Sequence, residues 1–329
     1  MAEALALGPE DVAEARRELR GHVVETPVIR IPALDLQAGA ELWLKLENLQ
    51  RTGAFKARGA LLALTRLGAE RRRRGVVTFS SGNHAQALAL AARQLGTHAT
   101  IAMPVDAPAV KVRGVRALGA EVVFAGTTSE ARREAAHAVA SMRGATVIEP
   151  FDDRDVLVGQ GTATAELLDQ LDRTGVQLDA LLVPTGGGGL LAGACLAARG
   201  RPLAIHPVEP LGCDSMGASL RAGRRVRVGP AASLADGLRT VCPGIRTFAI
   251  AQRDAALGLA VDDTALAAAL VSLLEHGKVL AEPSGVAGLA AGLARSIPGA
   301  PRRVGVLITG GNVDLDLVAR LLADQGNAR

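Results

Sequence analysis

The chain has 329 residues, 49% of them hydrophobic, which is enough for one large or two ordinary packed domains. Aromatics make up 2% and tyrosine is absent, so the core must be built from Ala, Val and Leu, and the stacking platforms that single-stranded nucleic acid needs are largely missing. The net charge of +4 is mild, no apolar run reaches membrane-spanning length, Met1-Ala2-Glu3-Ala4 carries no basic leader, and the three cysteines (Cys195, Cys213, Cys242) have no CxxC spacing. These features predict a cytoplasmic globular chain without nucleic-acid or membrane partners.

In chain order, the first clear signal is the alternating run at 41–47, which reads as a strand. Gly53-Ala54-Phe55-Lys56-Ala57-Arg58-Gly59 follows closely, with one lysine among small residues. Two readings fit it. Lys56 is a snorkelling lysine at a helix start, or a desolvated amine able to act as a nucleophile near neutral pH. The run Arg71-Arg72-Arg73-Arg74 resembles a nucleic-acid patch, but a solvated helix end, where cations favour the dipole, accounts for it. Short apolar strands then alternate with Ala/Leu-rich helices. Strands are predicted at 75–79, 98–103, 121–124, 180–183, 203–208 and 303–308, and helices at 83–95, 109–118, 129–142, 190–198 and 313–322. Apolar strands separated by helices predict an α/β fold with parallel sheets covered on both faces. Residues 71–147 are expected to form a small inserted α/β domain, and 1–70 with 148–329 a larger domain with its own open sheet.

In open α/β sheets, ligands bind beyond the carboxyl ends of strands. Three glycine-rich segments fall at such ends: Ser80-Ser81-Gly82-Asn83, Thr185-Gly186-Gly187-Gly188-Gly189 and Thr309-Gly310-Gly311-Asn312. Four glycines before a helix exceed what a tight turn needs, and their N–H groups can cradle a phosphate. The segment is neither a Walker A loop nor GxGxxG. The serines at 80 and 81 can cap a helix, or the helix start can bind a carboxylate with the Ser81 hydroxyl free for proton transfer. A buried lysine, a phosphate cradle and hydroxyls at strand ends together point to pyridoxal phosphate, with Lys56 on the aldehyde.

The segment from Lys45 to Ala60 resembles the cofactor-lysine signature of the serine/threonine dehydratase and serine racemase family, pyridoxal-phosphate enzymes of the tryptophan synthase β-like fold (two open parallel-sheet α/β domains with the cofactor between them). Further matches follow in order, at Ser80–Gln86, Gly159-Gln160-Gly161-Thr162, Thr185–Gly193, Val208-Glu209-Pro210, Ala235-Asp236-Gly237, Glu282-Pro283-Ser284-Gly285 and Thr309–Asp314. The resemblance implies roles. Lys56 carries the cofactor, Phe55 packs beside it and Asn83 bonds its ring hydroxyl. The N–H groups of Gly186, Gly187, Gly188, Gly189 and Leu190 hold its phosphate. Thr309 stands where the family usually has serine against the pyridine nitrogen. Ser80, Ser81, Gly82, Asn83 and His84 grip the substrate carboxylate, and Arg132 lies where racemases place a substrate-contacting arginine, although a solvated helix arginine explains it equally well. A hydroxyl cannot hold the pyridine nitrogen protonated as a carboxylate would, which favours β-elimination over transamination. The implied reaction is dehydration and deamination of threonine, serine or a close 3-hydroxy amino acid. Lys56 removes the Cα proton, and the products are a 2-oxo acid and ammonia. Racemisation competes if Ser81 protonates the opposite face. The alternatives are a serine racemase, a 3-hydroxyaspartate or phenylserine dehydratase, and a non-catalytic cofactor-binding homologue.

The sequence departs from the family at one point. Members that bind a divalent cation show Glu, a carbonyl four residues on and Asp six residues on. Here Glu209 and the Cys213 carbonyl fit, but the third position is Ser215, with Asp214 one residue short. No metal ligands are assigned. With the sequence ending at Arg329, the regulatory domain of long threonine dehydratases is not expected, and the family pattern implies a homodimer or homotetramer.

Overall fold

The computed structural model describes residues 2–80, 82–107 and 109–327. Ten strands form two sheets among these residues. The strands are β1 (Val28–Ile29), β2 (Glu41–Leu46), β3 (Val76–Phe79), β4 (Ala99–Met103), β5 (Glu121–Phe124), β6 (Thr146–Val147), β7 (Ala180–Pro184), β8 (Ala204–Pro210), β9 (Leu259–Val261) and β10 (Arg303–Ile308). The six-stranded sheet has the order β1-β2-β10-β7-β8-β9, and the four-stranded sheet has the order β5-β4-β3-β6. Only β1 runs antiparallel to its neighbour, β2. The predicted α/β architecture with parallel sheets is therefore what the chain adopts. The central strands are covered on both faces, as their unbroken apolar runs require; every residue of β4 and of β7 is buried.

The topology gathers the site. The last strand, β10, inserts between β2 and β7, pairing Ile308 with Leu46 and Val306 with Leu182. Three segments distant in sequence therefore leave the sheet side by side at its carboxyl edge. Four helices carry the residues that follow: α1 (Lys56–Arg66), α2 (Asn83–Gln94), α3 (Arg154–Asp172) and α4 (Gly189–Ala198). The largest apolar cluster joins them, with Leu61, Leu64, Leu88, Leu157, Leu167, Leu191 and Leu196 buried together. A second cluster (Leu42, Leu182, Leu266, Leu270, Leu289, Val306) fills the opposite face of the six-stranded sheet. Alanine and leucine dominate both, as the low aromatic content demands.

Helix α3 has no counterpart among the predicted elements, although its Gly159-Gln160-Gly161-Thr162 stretch is one of the motif matches. Its glycines discourage a helix on propensity alone. The structure explains them by close approach. A Cβ on Gly159 would lie 2.7 Å from the Cα of Gly59 in α1, and one on Gly161 would lie 2.6 Å from the Gly193 carbonyl oxygen in α4. Packing overrides propensity here. The final helix, Leu315–Asn327, starts two residues later than the pattern predicts, where Asp314 accepts a hydrogen bond from the Asp316 N–H (3.0 Å). The arginine run closes helix ends as expected: Arg72 donates to the carbonyls of Leu64 and Thr65, and Arg74 pairs with Glu70. No helix among the described residues is long and apolar enough to cross a membrane.

Candidate functional site

Lys56 opens α1 directly after a short link between the N-terminal and C-terminal thirds of the chain. Ala54 bridges Gly310, the Phe55 N–H donates to the Thr309 carbonyl (3.1 Å), and the Gly311 N–H donates to the Gly53 carbonyl (2.9 Å). The link is tight: Thr52 and Gly53 both have positive φ (60° and 70°), and Asn312 Nδ2 donates to the Thr52 carbonyl (2.7 Å). Lys56 and Thr309 are thus fixed relative to each other by backbone. The Lys56 side chain is half-buried, its Nζ donates to the Pro150 carbonyl (2.9 Å), and it lies 5.1 Å from the centroid of the Phe55 ring. Burial pushes its amine down to about 8. This favours the desolvated-nucleophile reading over the snorkelling one. Thr309 is buried, and its hydroxyl makes no hydrogen bond to any described group.

Pro150 and Phe151 connect Lys56 to the glycine loop after β7. A Cβ on Gly187 would lie 2.3 Å from the Phe151 ring, and one on Gly189 would lie 3.0 Å from the Phe151 carbonyl oxygen. Gly188 has φ of 95°, a conformation glycine adopts without strain. The loop is clamped from behind, where the Gly187 carbonyl accepts from Thr247 Oγ1 (2.7 Å) and from the Gly244 N–H (3.2 Å). In front, the N–H groups of Gly186, Gly187, Gly188, Gly189 and Leu190 donate to no described group. Five adjacent free donors at the start of α4 make an anion cradle.

The third strand end, after β3, faces the same region. Gly82 caps α2, and its N–H donates to Ser80 Oγ (3.3 Å). Asn83 donates from Nδ2 to Glu282 Oε1 (2.7 Å) and accepts at Oδ1 from Asn312 (2.9 Å), which ties the four-stranded sheet to the β10 loop. His84 is buried. Burial, together with the nearby Lys56 charge, pushes its imidazole down to about 3, so it is neutral at pH 7. Ser81 lies outside the described residues. Arg132 folds back onto the start of its own helix, donating to the Thr127 carbonyl (2.9 Å) and Ser129 Oγ (3.0 Å). No described contact brings it to Lys56 or Asn83.

Two features lie partly within the quoted motifs, but their roles escape a reading of motifs alone. Beneath Lys56, Lys45, Glu47, Arg58 and Glu166 form a buried, charge-neutral cluster. Arg58 Nη2 reaches Glu47 (2.7 Å) and Glu166 (2.9 Å), and Lys45 Nζ reaches Glu166 (2.6 Å). Burial works against the charge of Glu166, but Arg58 and Lys45 outweigh it and hold its carboxyl below the usual range. The second is Glu282 itself. A signal for both was present, since charged residues inside apolar stretches need partners.

At the departure from the family's cation ligands, Glu209 is fully buried and both its oxygens accept backbone N–H groups, from Met216 and Gly217 (2.8 Å each), at the start of the helix Ser215–Ala222. Ser215 donates to the Thr240 carbonyl (3.0 Å), and Arg221 pairs with Asp214 (3.1 Å). Both Glu209 oxygens are thus taken by backbone N–H groups, and burial pushes its carboxyl up to about 8.

The rest of the site fits pyridoxal phosphate: a half-buried amine pushed down to about 8, five free N–H groups for a phosphate and a free hydroxyl at a strand end. The comparisons agree. The family model described as "Pyridoxal-phosphate dependent enzyme" matches residues 19–310, and the chain belongs to that family. An L-threo-3-hydroxyaspartate ammonia-lyase from Pseudomonas sp is 44% identical to it, over 95% of this chain and 97% of that one. The L-threonine ammonia-lyase of Thermotoga maritima is 39% identical, over 95% of this chain and 77% of that one. The solved structure of maize serine racemase superposes with a TM-score of 0.91 at 34% identity, covering 98% and 99% of the two chains. The resemblance read from motifs thus holds along the length of the chain, and the protein is a pyridoxal-phosphate-dependent enzyme of the tryptophan synthase β-like fold.

Proposed function

We propose that this protein is an ammonia-lyase that eliminates water from a 3-hydroxy amino acid; the enamine that leaves the site is then hydrolysed by water to the 2-oxo acid and ammonia. Bound pyridoxal phosphate supplies an electron sink that acidifies the substrate Cα–H. The chain's own groups do the rest. Gly186 through Leu190 anchor the phosphate end. Thr309 offers the ring nitrogen a neutral hydroxyl, which favours loss of a β-substituent. Phe55 packs along the site beside Lys56. The helix start at Ser80, Gly82, Asn83 and His84 receives the substrate carboxylate, and neutral His84 adds no competing cation beside Lys56. Lys56 Nζ takes the Cα proton.

The observation that carries this reading is Lys56, a half-buried amine pushed down to about 8 and fixed by backbone to the Thr309 strand end. Among 3-hydroxy amino acids, the 44% identity to a hydroxyaspartate ammonia-lyase favours a substrate with a β-carboxylate over L-threonine and L-serine. A racemase reading is supported by the fit to maize serine racemase and by the serine at position 81. Arg132 enters this reading as a substrate contact only if its guanidinium leaves Thr127 and Ser129.

The same reading takes 1–70 with 148–329 as the cofactor-bearing domain and 71–147 as a smaller one, supported by the two separate sheets. It also takes the chain as a cytoplasmic homodimer or homotetramer; three free cysteines support a reducing compartment. The test is product formation from L-threo-3-hydroxyaspartate, L-threonine, L-serine and D-serine, with Lys56→Ala as control. Oxo acid from an L-substrate, absent in Lys56→Ala, supports the lyase. Exchange of serine enantiomers without oxo acid, lost in Ser81→Ala, supports the racemase.

A further inference from the structure

Glu282 is a buried carboxylate that makes no salt bridge among the described residues. Lys111, a cation that acts on it, is paired with Asp236 at 2.7 Å. Keeping such a group costs stability, which calls for a use. Its position is over-determined. Its backbone N–H donates to the Gly310 carbonyl (2.9 Å) and its carbonyl accepts from the Gly285 N–H (2.8 Å), so Glu282 is held against the residue next to Thr309. A Cβ on Gly310 would lie 2.2 Å from Glu282 Oε1, so the carboxylate occupies the space that this glycine leaves. Among the described residues, the one side chain that hydrogen-bonds to it is Asn83, across the gap between the two sheets.

The amide of Asn83 is held at both ends. While ionised, the Glu282 carboxylate only accepts, so it holds the Asn83 NH2 toward itself for as long as its own proton is off. The Asn312 NH2 only donates, so Asn83 must turn its oxygen toward Asn312. The two bonds exclude the flipped amide, and one Asn83 N–H is left over.

We propose that Glu282 is a positioning residue: it fixes the amide of Asn83 so that the remaining N–H is offered to the ring oxygen of the cofactor. This rests on the pyridoxal-phosphate reading of the site. Burial pushes the Glu282 carboxyl up to about 7, with Asn83 pulling it down and Asp236 adding to the rise. A carboxyl so placed is sensitive to what Asn83 does with its other proton.

The test is the affinity of the cofactor-free protein for pyridoxal phosphate, followed by absorbance, in wild type, Glu282→Gln, Glu282→Met, Asn83→Ala and the Glu282→Met/Asn83→Ala double variant. Removing a buried carboxylate that lacks a counter-ion is not expected to unfold the protein. Glu282→Met should weaken binding about tenfold and move the absorbance maximum of the bound cofactor. Glu282→Gln, which accepts the same bond but permits both amide orientations, should fall between. In the Asn83→Ala background Glu282→Met should change nothing further. Additive effects of Glu282→Met and Asn83→Ala, or an unchanged spectrum in Glu282→Met, would overturn the proposal. Failure of the wild type to bind the cofactor through Lys56 would instead overturn the reading beneath it.

Discussion

Lys56 Nζ lies 2.9 Å from the carbonyl oxygen of Pro150, and the next residue, Phe151, presses its ring against Gly187. The amine and the anion cradle are therefore spaced by two consecutive residues of one segment. This spacing suits a ligand with an aldehyde at one end and a phosphate at the other.

The amine makes a pH prediction. Its value of about 8 means that it is largely protonated at pH 7, and only the neutral amine attacks an aldehyde. Uptake of pyridoxal phosphate by cofactor-free protein should accelerate between pH 7 and pH 9, measured by stopped-flow absorbance at constant ionic strength. The same depression has a stability consequence. Above about 8 the folded amine has lost its proton, while the unfolded chain keeps its own up to the ordinary value of 10.5. The unfolded state then binds more protons, so this group's contribution to cofactor-free stability rises with pH across that window. Lys56→Met should remove that part of the pH dependence in urea titrations.

The cradle makes a second prediction. Gly187→Ala places a methyl group 2.3 Å from the Phe151 ring, so ring and loop must part. Affinity for pyridoxal phosphate should fall by at least about tenfold, whereas affinity for pyridoxal, which lacks the phosphate, should change little. Equal losses for both ligands would show that the loop does not read the phosphate. Equilibrium titration of the cofactor-free variant separates the two outcomes.

Much of this site was legible because its signals are local. Glycines at 186–189 follow an apolar strand, and Lys56 sits among small residues; each can be seen within ten positions. The strand order was not local. That β10 inserts between β2 and β7 and so places Thr309 beside Phe55 depends on pairings 262 residues apart with β2 and 124 apart with β7. Glu282 escaped for the same reason, since its partner Asn83 lies 199 residues away. Helix α3 was missed because glycine lowers helix propensity, and only the facing glycines in α1 and α4 reveal why it is needed there. Arg132 shows the converse: a motif position can be placed by resemblance while its side chain hydrogen-bonds elsewhere.

The buried cluster under α1 predicts a large effect from a residue that touches no ligand. Arg58 is fully buried between Glu47 and Glu166, two residues beyond Lys56. Arg58→Met leaves two carboxylates with only Lys45 for compensation. Breaking such a cluster should cost about 3–5 kcal/mol of folding stability. Urea denaturation of the cofactor-free protein is the measurement, and a loss below about 1 kcal/mol would mean that the cluster relaxes or admits water. Replacing Lys45, Glu47, Arg58 and Glu166 together with apolar residues of similar volume should cost less than Arg58→Met alone, because no unpaired charge then remains.

The last prediction concerns cations. Glu209 spends both oxygens on the N–H groups of Met216 and Gly217, and Ser215 offers a hydroxyl already bonded to Thr240. Arg221 stands close by, its Nη1 3.3 Å from where a Cβ of Gly217 would be, and supplies positive charge without an ion. Magnesium, calcium or a chelator should therefore leave the melting temperature and the cofactor affinity unchanged. Ser215→Asp restores a carboxylate at the position where cation-binding members of the family carry one. It should lower stability in chelator, because it sets another carboxyl beside Asp214 and beside Glu209, whose own is already pushed up to about 8 by burial, and it should gain a melting-temperature rise with calcium or magnesium that the parent lacks. A parent protein whose melting temperature climbs with either ion would mean that Glu209 trades its backbone bonds for the metal.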